Sequence, residues 1–274
     1  MPWRREWSVV GNVQSETETD IMFGLTHRTA IVTGAGSKNG IGRATALALA
    51  SQGADVAVCD LNQAGVNETA GEIRKLGRRS MAFVVDVTKP EQVQGMADAV
   101  EREWGRIDIL ANIAGITQPI KVADTTVEDW DRITGVNMKG TFLFSKAAAA
   151  VMAKHNYGRI VNMSSVSAKR GGGVFGGAHY SAAKAGILGF AKALAREVAA
   201  DGITVNSVAP GLVLTDIRGG IESEEGQARL AADFPIKRLC HPDEIAALVC
   251  FLASEEAGYI TGEDIDINGG SHMD

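Results

Sequence analysis

The ten residues "TGAGSKNGIG", Thr33 to Gly42, decide the fold of this chain. They continue the apolar run "TAIVTG" at 29–34 and lead into "IGRATALALASQG" at 41–53, whose apolar residues recur at helical spacing. Such a strand–turn–helix unit suits a phosphate site. The glycines let the backbone approach the phosphates, and the helix N-terminus supplies free N–H groups and a positive dipole. The stretch therefore predicts the first unit of a nucleotide-binding α/β fold.

The spacing of the glycines narrows the kind of loop. Gly34 and Gly36 fit the pattern G-x-G-x-x-G, but the next glycine comes only at Gly40. Neither Gly40 nor Gly42 is followed by the Lys-Ser/Thr pair that a P-loop requires, which excludes a P-loop. The stretch is a lengthened dinucleotide loop, unless the glycines simply form a tight turn.

Composition limits the possible partners. The chain has 274 residues, 45% of them hydrophobic, and a net charge of −6. The length suits one large α/β domain or two smaller ones. The negative charge gives no support to binding nucleic acid or an anionic membrane surface. Since no apolar run approaches the roughly 20 residues needed to cross a bilayer, we expect no membrane partner and no nucleic-acid partner.

Cysteine and histidine spacing predicts neither a disulfide framework nor a metal site. Cys59, Cys240 and Cys250 form no C-x-x-C pair, and the five histidines show no metal-ligand spacing. We expect free thiols in a reducing compartment, the cytoplasm, and no bound metal.

Strand-like and helix-like segments alternate from residue 29 onward. The apolar runs are continuous rather than alternating, as in a sheet that is covered on both faces. The pattern predicts a single-domain α/β Rossmann fold: a seven-stranded, mostly parallel, doubly wound sheet with helices on both faces. The seven predicted strands are 29–34, 55–60, 81–87, 107–115, 158–165, 203–211 and 263–270.

The first 22 residues differ in composition from the rest. They are polar, carry both signs of charge and lack the apolar region of a signal peptide. We expect a flexible N-terminal extension at 1–22, with Trp3 and Trp7 available to dock on a neighbouring subunit, and one domain at 23–274. A translation start at Met22 is the alternative.

The second strand bears on the choice of nucleotide. The run "DVAVCD" ends in Asp60, where a dinucleotide fold places an acid on the adenosine ribose. A carboxylate there accepts from the ribose hydroxyls and repels a 2′-phosphate, so Asp60 favours NAD over NADP. The alternative is an aspartate that caps the next turn. Lys38 and Arg43 count against NAD, because either can pair with a 2′-phosphate.

Tyr180 and Lys184 lie four residues apart and so share a helix face. An ammonium about 6 Å from the phenol, at an effective dielectric of ~20, favours phenolate by roughly 3 kcal/mol, or about two pKa units. We therefore expect Lys184 to bring the pKa of Tyr180 into the range of general acid–base catalysis.

Several short motifs occur together with the glycine loop in one order. They are "NIAG" at 112–115, "VNMKG" at 136–140, "VNMSS" at 161–165, "YSAAK" at 180–184 and "VAPGLVLTD" at 208–216. In this order they resemble the short-chain dehydrogenase/reductase family over nearly all of residues 28–270. Two departures stand out. Five residues rather than the usual three separate Gly34 from Gly40, and Ile113 replaces the second asparagine of "NNAG".

The resemblance implies four catalytic residues. Tyr180 exchanges the proton of the substrate hydroxyl, Lys184 lowers its pKa and binds the nicotinamide ribose, Ser165 hydrogen-bonds the substrate oxygen, and Asn137 holds a water of a proton relay. Ser165 is favoured over Ser164 because of its place in the family pattern.

The resemblance also implies a set of residues that bind the cofactor. Asp86 is expected to meet the adenine amino group, and the segment from Pro210 to Thr215 the carboxamide and pyrophosphate. The full set is Gly34, Gly36, Ser37, Asn39, Gly40, Ile41, Gly42, Asp60, Leu61, Asp86, Val87, Asn112, Ala114, Gly115, Tyr180, Lys184, Pro210, Gly211, Val213 and Thr215.

The expected reaction is hydride transfer between NAD and a secondary alcohol or ketone, such as a sugar, a polyol or another small alcohol. The alternative is reduction of a 3-oxoacyl thioester on acyl-carrier protein, and a remote one is a non-catalytic NAD-binding regulator. Substrate choice is expected to depend on residues 116–124, 168–179 and those from after Thr215 to about Leu239. We expect His179 to line the pocket entrance or face solvent, and the family usually forms homotetramers, with a homodimer also possible.

Overall fold

A computed structural model describes residues 22–172, 176–218, 220 and 223–273. Its centre is a seven-stranded sheet in which every neighbouring pair of strands is parallel, in the order β3-β2-β1-β4-β5-β6-β7. The strands are β1 Thr29–Thr33, β2 Asp55–Asp60, β3 Ser80–Val84, β4 Ile109–Asn112, β5 Gly158–Met163, β6 Ile203–Pro210 and β7 Asp264–Ile267. The predicted fold class is confirmed, and the sheet is wholly rather than mostly parallel.

Helices cover both faces of the sheet, as the continuous apolar strands predict. They are α1 Ile41–Ser51, α2 Gln63–Lys75, α3 Pro90–Trp104, α4 Val127–Thr134, α5 Gly140–Ala153, α6 Ser167–Arg170, α7 Ala178–Val198, α8 Glu224–Ala231 and α9 Pro242–Ala253. Residues 1–21 of the predicted extension lie outside the described residues.

Two apolar cores lie on opposite faces of the sheet. One packs α1, α2 and α9 against alternate strand residues such as Val32 and Val56, and the other packs α3, α5 and α7 against their neighbours Ile31 and Ala57. Side chains of adjacent strand residues point to opposite faces, so strands such as β1 and β2 supply both cores. Among the described residues, no helix is long and apolar enough to cross a membrane.

The third strand ends earlier than its apolar run predicts. β3 stops at Val84, although the run extends to residue 87. Asp86 Oδ1 accepts hydrogen bonds from Thr88 N at 2.9 Å and Thr88 Oγ1 at 2.7 Å. β3 is the edge strand, and its Val84 pairs with Asp60, the last residue of its neighbour β2, so Asp86 and Val87 lie in the loop beyond the strand.

The strand order reverses between β1 and β4. From β1 the chain crosses outward to β2 and β3, then returns to β4 on the other side of β1. Ligands of such sheets bind in the crevice at the carboxyl ends of the two strands where the order reverses. In this chain that crevice lies between the glycine loop after β1 and the segment "NIAG" after β4.

Candidate active site

A groove of about 1080 Å³ opens at the carboxyl ends of β1, β2 and β4. A smaller cavity of about 290 Å³ adjoins it and shares Ile41, Gly115 and Thr215 with it. The predicted cofactor residues that line the groove are Gly34, Ser37, Gly40, Ile41, Gly42, Asp60, Leu61, Asp86, Val87, Ala114, Gly115 and Thr215. Those that line the cavity and not the groove are Tyr180, Lys184, Pro210, Gly211 and Val213.

The glycine loop comes too close to its neighbours for side chains. Gly34 has φ +70°, and a Cβ there would lie 2.8 Å from Ala114 Cα. A Cβ on Gly42 would lie 2.2 Å from Gly34 O. The N-cap of α1 is Gly40, which makes no side-chain cap, and the first turn holds no acidic residue. The N-terminus of α1 therefore faces the groove with free N–H groups that can bind an anion.

The contacts of Asp60 agree with both interpretations of its position, as a cap of the next turn and as an acceptor for the ribose hydroxyls. Its carboxylate accepts hydrogen bonds from Gly36 N at 3.0 Å and Asn62 N at 3.1 Å, so it stabilises the turns on either side. It also lines the groove and is half-buried. A carboxylate has more acceptor sites than these two bonds use, so it can also accept from ribose hydroxyls.

The two basic residues near the loop lie away from Asp60. Lys38 is exposed, and together with Arg43 it lines a separate depression between α1 and α9. Arg43 Nη2 lies 2.5 Å from Glu72 Oε2. Neither basic side chain lines the groove that Asp60 lines.

Three predicted cofactor residues line neither the groove nor the cavity. Asn112 is 4% exposed, and its amide donates to Asn162 Oδ1 at 2.8 Å and Ser145 Oγ at 3.0 Å. Its side chain thus ties β4 to β5 and α5 rather than facing the crevice. The other two are Gly36, which packs against Asp60, and Asn39.

The four predicted catalytic residues, Asn137, Ser165, Tyr180 and Lys184, all line the cavity. α7 carries Tyr180 and Lys184, and Ser165 follows β5. The hydroxyl of Ser165 hydrogen-bonds the Tyr180 side chain. By contrast, Ser164 is 2% exposed and donates to Lys184 O at 2.9 Å, so its hydroxyl is occupied by backbone.

Asn137 lies in a π-helical turn, Gly135–Lys139, between α4 and α5. Its amide donates to Ile116 O and Ile133 O, both at 2.9 Å. Its Oδ1 is buried and has no hydrogen-bond partner among the described residues. A Cβ on Gly115 would lie 2.7 Å from this Oδ1 and 3.4 Å from Lys184 Nζ, so both atoms face one small gap. A water there would satisfy the amide oxygen and link it to the ammonium.

Burial sets the protonation of the Tyr–Lys pair. The Lys184 side chain is fully buried, which lowers its pKa to about 7, and its Nζ donates to Met163 O at 2.7 Å. Burial raises the pKa of Tyr180, and the hydrogen bond from Ser165 opposes that only in part.

The pKa of Tyr180 is therefore raised rather than brought into the range of general acid–base catalysis, contrary to the expectation from the sequence. The expected separation is close to that found, since Lys184 Nζ lies 5.7 Å from the centre of the Tyr180 ring. A fully charged ammonium in a moderately polar site would lower the pKa of the phenol. Burial instead removes charge from the lysine near neutral pH and penalises the phenolate.

His179 does not line the pocket entrance. It is 1% exposed, and its Nε2 lies 3.3 Å from Gln118 Oε1. Gln118 also donates to Asp129 Oδ1 at 2.7 Å and accepts from Arg132 Nη2 at 2.6 Å, while its carbonyl accepts from Gly177 N. It thus joins the loop after β4 to α4 and to the start of α7. Sequence reasoning missed Gln118 because its partners lie in two separate segments, α4 and the start of α7, and His179 is 61 positions away from it in sequence.

The residues present fit a nicotinamide dinucleotide. The glycine loop can admit a pyrophosphate, and Asp60 can accept from a ribose. Hydrogen bonds from Thr88 lower the pKa of Asp86, so its carboxylate is ionised and can accept from an adenine amino group. Among the described residues, no group of three His, Cys, Asp or Glu side chains is placed to hold a metal. A dinucleotide groove that opens beside a Tyr–Lys–Ser–Asn cavity defines a nicotinamide-dependent oxidoreductase.

Comparisons with known proteins give the family. A family model described as enoyl-(acyl carrier protein) reductase matches residues 34–272. A short-chain type dehydrogenase/reductase of Sinorhizobium fredii is 45% identical over 247 residues, 90% of this chain and 98% of that protein. A 3-oxoacyl-(acyl-carrier-protein) reductase of Vibrio cholerae is 42% identical over 249 residues, 91% of this chain and 99% of that protein.

A solved structure agrees with these matches. The crystal structure of a short-chain type dehydrogenase/reductase from Mycobacterium marinum superposes with a TM-score of 0.85 at 35% identity, over 92% of this chain and 98% of that one. The chain therefore belongs to the short-chain dehydrogenase/reductase family. It is an oxidoreductase that acts on a CH–OH or carbonyl group, and the family binds a nicotinamide cofactor.

Proposed function

We propose that this chain transfers a hydride between NAD and a small secondary alcohol or its ketone, with a sugar or polyol as the typical substrate. The observation that carries the proposal is the convergence of Tyr180, Ser165, Asn137 and Lys184 on one cavity beside the groove. When bound, the nicotinamide accepts or gives the hydride at its C4 atom.

The chain's own residues handle the proton. The Ser165 hydroxyl, already bonded to Tyr180, orients the substrate oxygen beside the phenol. Tyr180 gives its proton to that oxygen in reduction and takes one from it in oxidation. Lys184, with a pKa near 7, can exchange a proton at neutral pH. The unpaired Asn137 Oδ1 can hold the water through which the proton leaves.

NAD is the proposed cofactor, and Asp60 supports it. Its carboxylate lines the groove and would repel a 2′-phosphate, whereas Lys38 and Arg43 line a different depression. We expect Asp60→Ser to raise the ratio of kcat/KM with NADP to kcat/KM with NAD, and Lys38→Ala to leave that ratio unchanged. A ratio that falls in Lys38→Ala would mean that Lys38 reaches the adenosine end. With NAD preferred in an NAD⁺-rich cytosol, oxidation of the alcohol is the favoured direction.

Reduction of a 3-oxoacyl thioester with NADPH is the second candidate. It is favoured by relatives that carry this activity in their names, including the Vibrio cholerae protein at 42% identity. Against it stand Asp60 and a cavity of only about 290 Å³, near the lower end for ligand pockets. A non-catalytic regulator is disfavoured because both Tyr180 and Lys184 line the cavity.

One set of assays separates these candidates. NADH and NADPH formation is measured across a panel of polyols, sugars and simple secondary alcohols, and NADPH oxidation with 3-oxoacyl thioesters. The variants are Tyr180→Phe and, as a matched control, Tyr259→Phe, which alters a fully exposed tyrosine. We expect turnover with NAD and an alcohol that Tyr180→Phe abolishes and Tyr259→Phe leaves intact. Activity only with NADPH and thioesters would replace the first proposal by the second, and turnover that survives Tyr180→Phe would overturn the mechanism.

We also propose a homotetramer or homodimer in the cytoplasm. Supporting the assembly, α4 and α5 with the turn between them expose large apolar side chains, Trp130 at 45%, Met138 at 38% and Phe142 at 43%. The neighbouring α7 exposes small residues, among them Ala182, Ala185 and Gly189. All three cysteines are free thiols, as a reducing compartment would keep them. Light scattering on wild type and Phe142→Glu tests the assembly, since a buried glutamate would dissociate an interface on this face.

A further inference from the structure

The lengthened glycine loop holds one particular carboxylate. Asp216, which follows β6 and opens a short 3₁₀ turn, Asp216–Arg218, accepts three hydrogen bonds from the loop. Ser37 Oγ donates to its Oδ2 at 2.9 Å, and Asn39 N donates to the same oxygen at 3.2 Å. The Asn39 amide donates to Oδ1 at 3.0 Å. Both carboxylate oxygens are thus bound by one loop.

The length of the loop explains these contacts. Five residues separate Gly34 from Gly40, two more than the family's usual number, and Asn39 is one of these five. Asn39 lines the depression between α1 and α9 and does not line the groove itself, so its side chain serves Asp216 rather than a ligand. The bonds from Ser37 and Asn39 lower the pKa of Asp216, which keeps the carboxylate ionised at neutral pH.

Asp216 lies between two residues that shape the cofactor site. Thr215 and Ile217, on either side of it, line both the groove and the cavity, and Asp216 and Ser37 line the groove. The three hydrogen bonds therefore bridge the phosphate end of the groove to the segment beside the cavity. Hydrogen bonds to an ionised acceptor are about twice as strong as neutral ones, so the bridge holds Thr215 in place before any ligand binds.

We propose that Asp216 is a positioning residue for the dinucleotide: through Ser37 and Asn39 it fixes the segment after β6 so that Thr215 faces the bound phosphates. The inference rests on the proposed function, since it assumes that the groove binds a nicotinamide dinucleotide. The added loop residues then stabilise the wall of the groove and do not take part in the choice between NAD and NADP.

A double-mutant cycle with NADH tests the proposal. Dissociation constants are measured by NADH fluorescence for wild type, Asp216→Ala, Asn39→Ala and the double variant. We expect Asp216→Ala, which removes all three hydrogen bonds, to weaken binding about tenfold. Asn39→Ala should weaken it less, about threefold, because Ser37 Oγ and the backbone N–H of residue 39 still donate to Asp216. The double variant should be no weaker than Asp216→Ala, because that single change already removes the bond that Asn39→Ala removes. Asp243→Ala, which removes an exposed carboxylate from the neighbouring depression, is the control and should bind NADH as wild type does.

The same variants give a readout without cofactor. Backbone amides of residues 211–218 should exchange with deuterium faster in Asp216→Ala and Asn39→Ala than in wild type. Tighter NADH binding by Asp216→Ala would mean that the carboxylate merely repels phosphate. Unchanged NADH binding together with unchanged deuterium exchange would show that the three hydrogen bonds do not position the segment after β6. Either result overturns the inference. Failure of wild type to bind NADH or NADPH would instead overturn the proposed function. If Asp216→Ala does not fold, Asp216→Asn and Asn39→Ala carry the test, with the same expected direction.

Discussion

The buried Lys184 makes the stability of the protein depend on pH in a definite direction. Its pKa is about 7 in the folded chain against 10.5 for the free side chain, because burial penalises the ammonium. At about 1.36 kcal/mol for each pH unit, this difference corresponds to roughly 5 kcal/mol. Below pH 7 the lysine is protonated in both the folded and the unfolded chain, so the full cost of burying the ammonium lowers the free energy of unfolding. Between pH 7 and 10.5 the unfolded chain binds more protons, so the free energy of unfolding rises with pH.

Lys184→Met removes this dependence while keeping a chain of similar length. From pH 7 to pH 9 we expect wild type to gain about 2 kcal/mol in the free energy of unfolding relative to the variant, and no relative change from pH 5 to pH 6. Loss of the hydrogen bond to Met163 O is the same at each pH and cancels in this comparison.

Urea unfolding at fixed protein concentration measures the effect. Lys192→Met is the control, because it removes a lysine of the same helix whose side chain is 55% exposed. The pH-dependent change that this variant causes in the free energy of unfolding is subtracted from the change that Lys184→Met causes. A wild-type advantage that stays constant from pH 7 to pH 9 would refute the reasoning, because it would mean that Lys184 keeps its charge despite burial.

Two further predictions follow from packing around the site. Gly71→Ala in α2 meets no atom within 4 Å and should raise the free energy of unfolding by roughly 0.5–1 kcal/mol. Gly65→Ala in the same helix should instead lower the free energy of unfolding by roughly 1–3 kcal/mol, because its Cβ would lie 1.8 Å from Gly36 O. Equal urea midpoints for the Gly71→Ala and Gly65→Ala variants would contradict this prediction. Gln118→Leu should lower kcat/KM for the alcohol roughly tenfold, because the start of α7 is then less firmly held. The dissociation constant of NADH should stay unchanged. Weakened NADH binding would instead show a general loss of structure.

The fold was predictable because its signals are local and repeated. Continuous apolar runs at 55–60 and 203–211 became β2 and β6 with at most one residue of difference. β3, β4 and β7 each end three residues before their apolar runs do. An apolar run shows that residues are buried, and it does not show where pairing with the neighbouring strand ends.

The site was predictable as a set of residues but not as an electrostatic arrangement. The motif order was enough to bring Tyr180, Lys184, Ser165 and Asn137 to one cavity. The direction of the Tyr180 pKa depended on how completely the pair is enclosed, and burial of this kind is a property of the folded chain.

The lengthened loop likewise has features that the local sequence predicts and others that depend on residues distant in sequence. Its spacing excludes a P-loop, and its position between β1 and α1 predicts a dinucleotide loop with a phosphate site. The reason for the added residues lies 177 positions further on, where Asp216 receives the hydrogen bonds of Asn39. Since Lys38 points to the depression between α1 and α9, the extra length adds no cation to the groove that Asp60 lines. We therefore propose that cofactor choice and loop length are separate features: the first depends on the carboxylate at the end of β2, and the second on the carboxylate after β6.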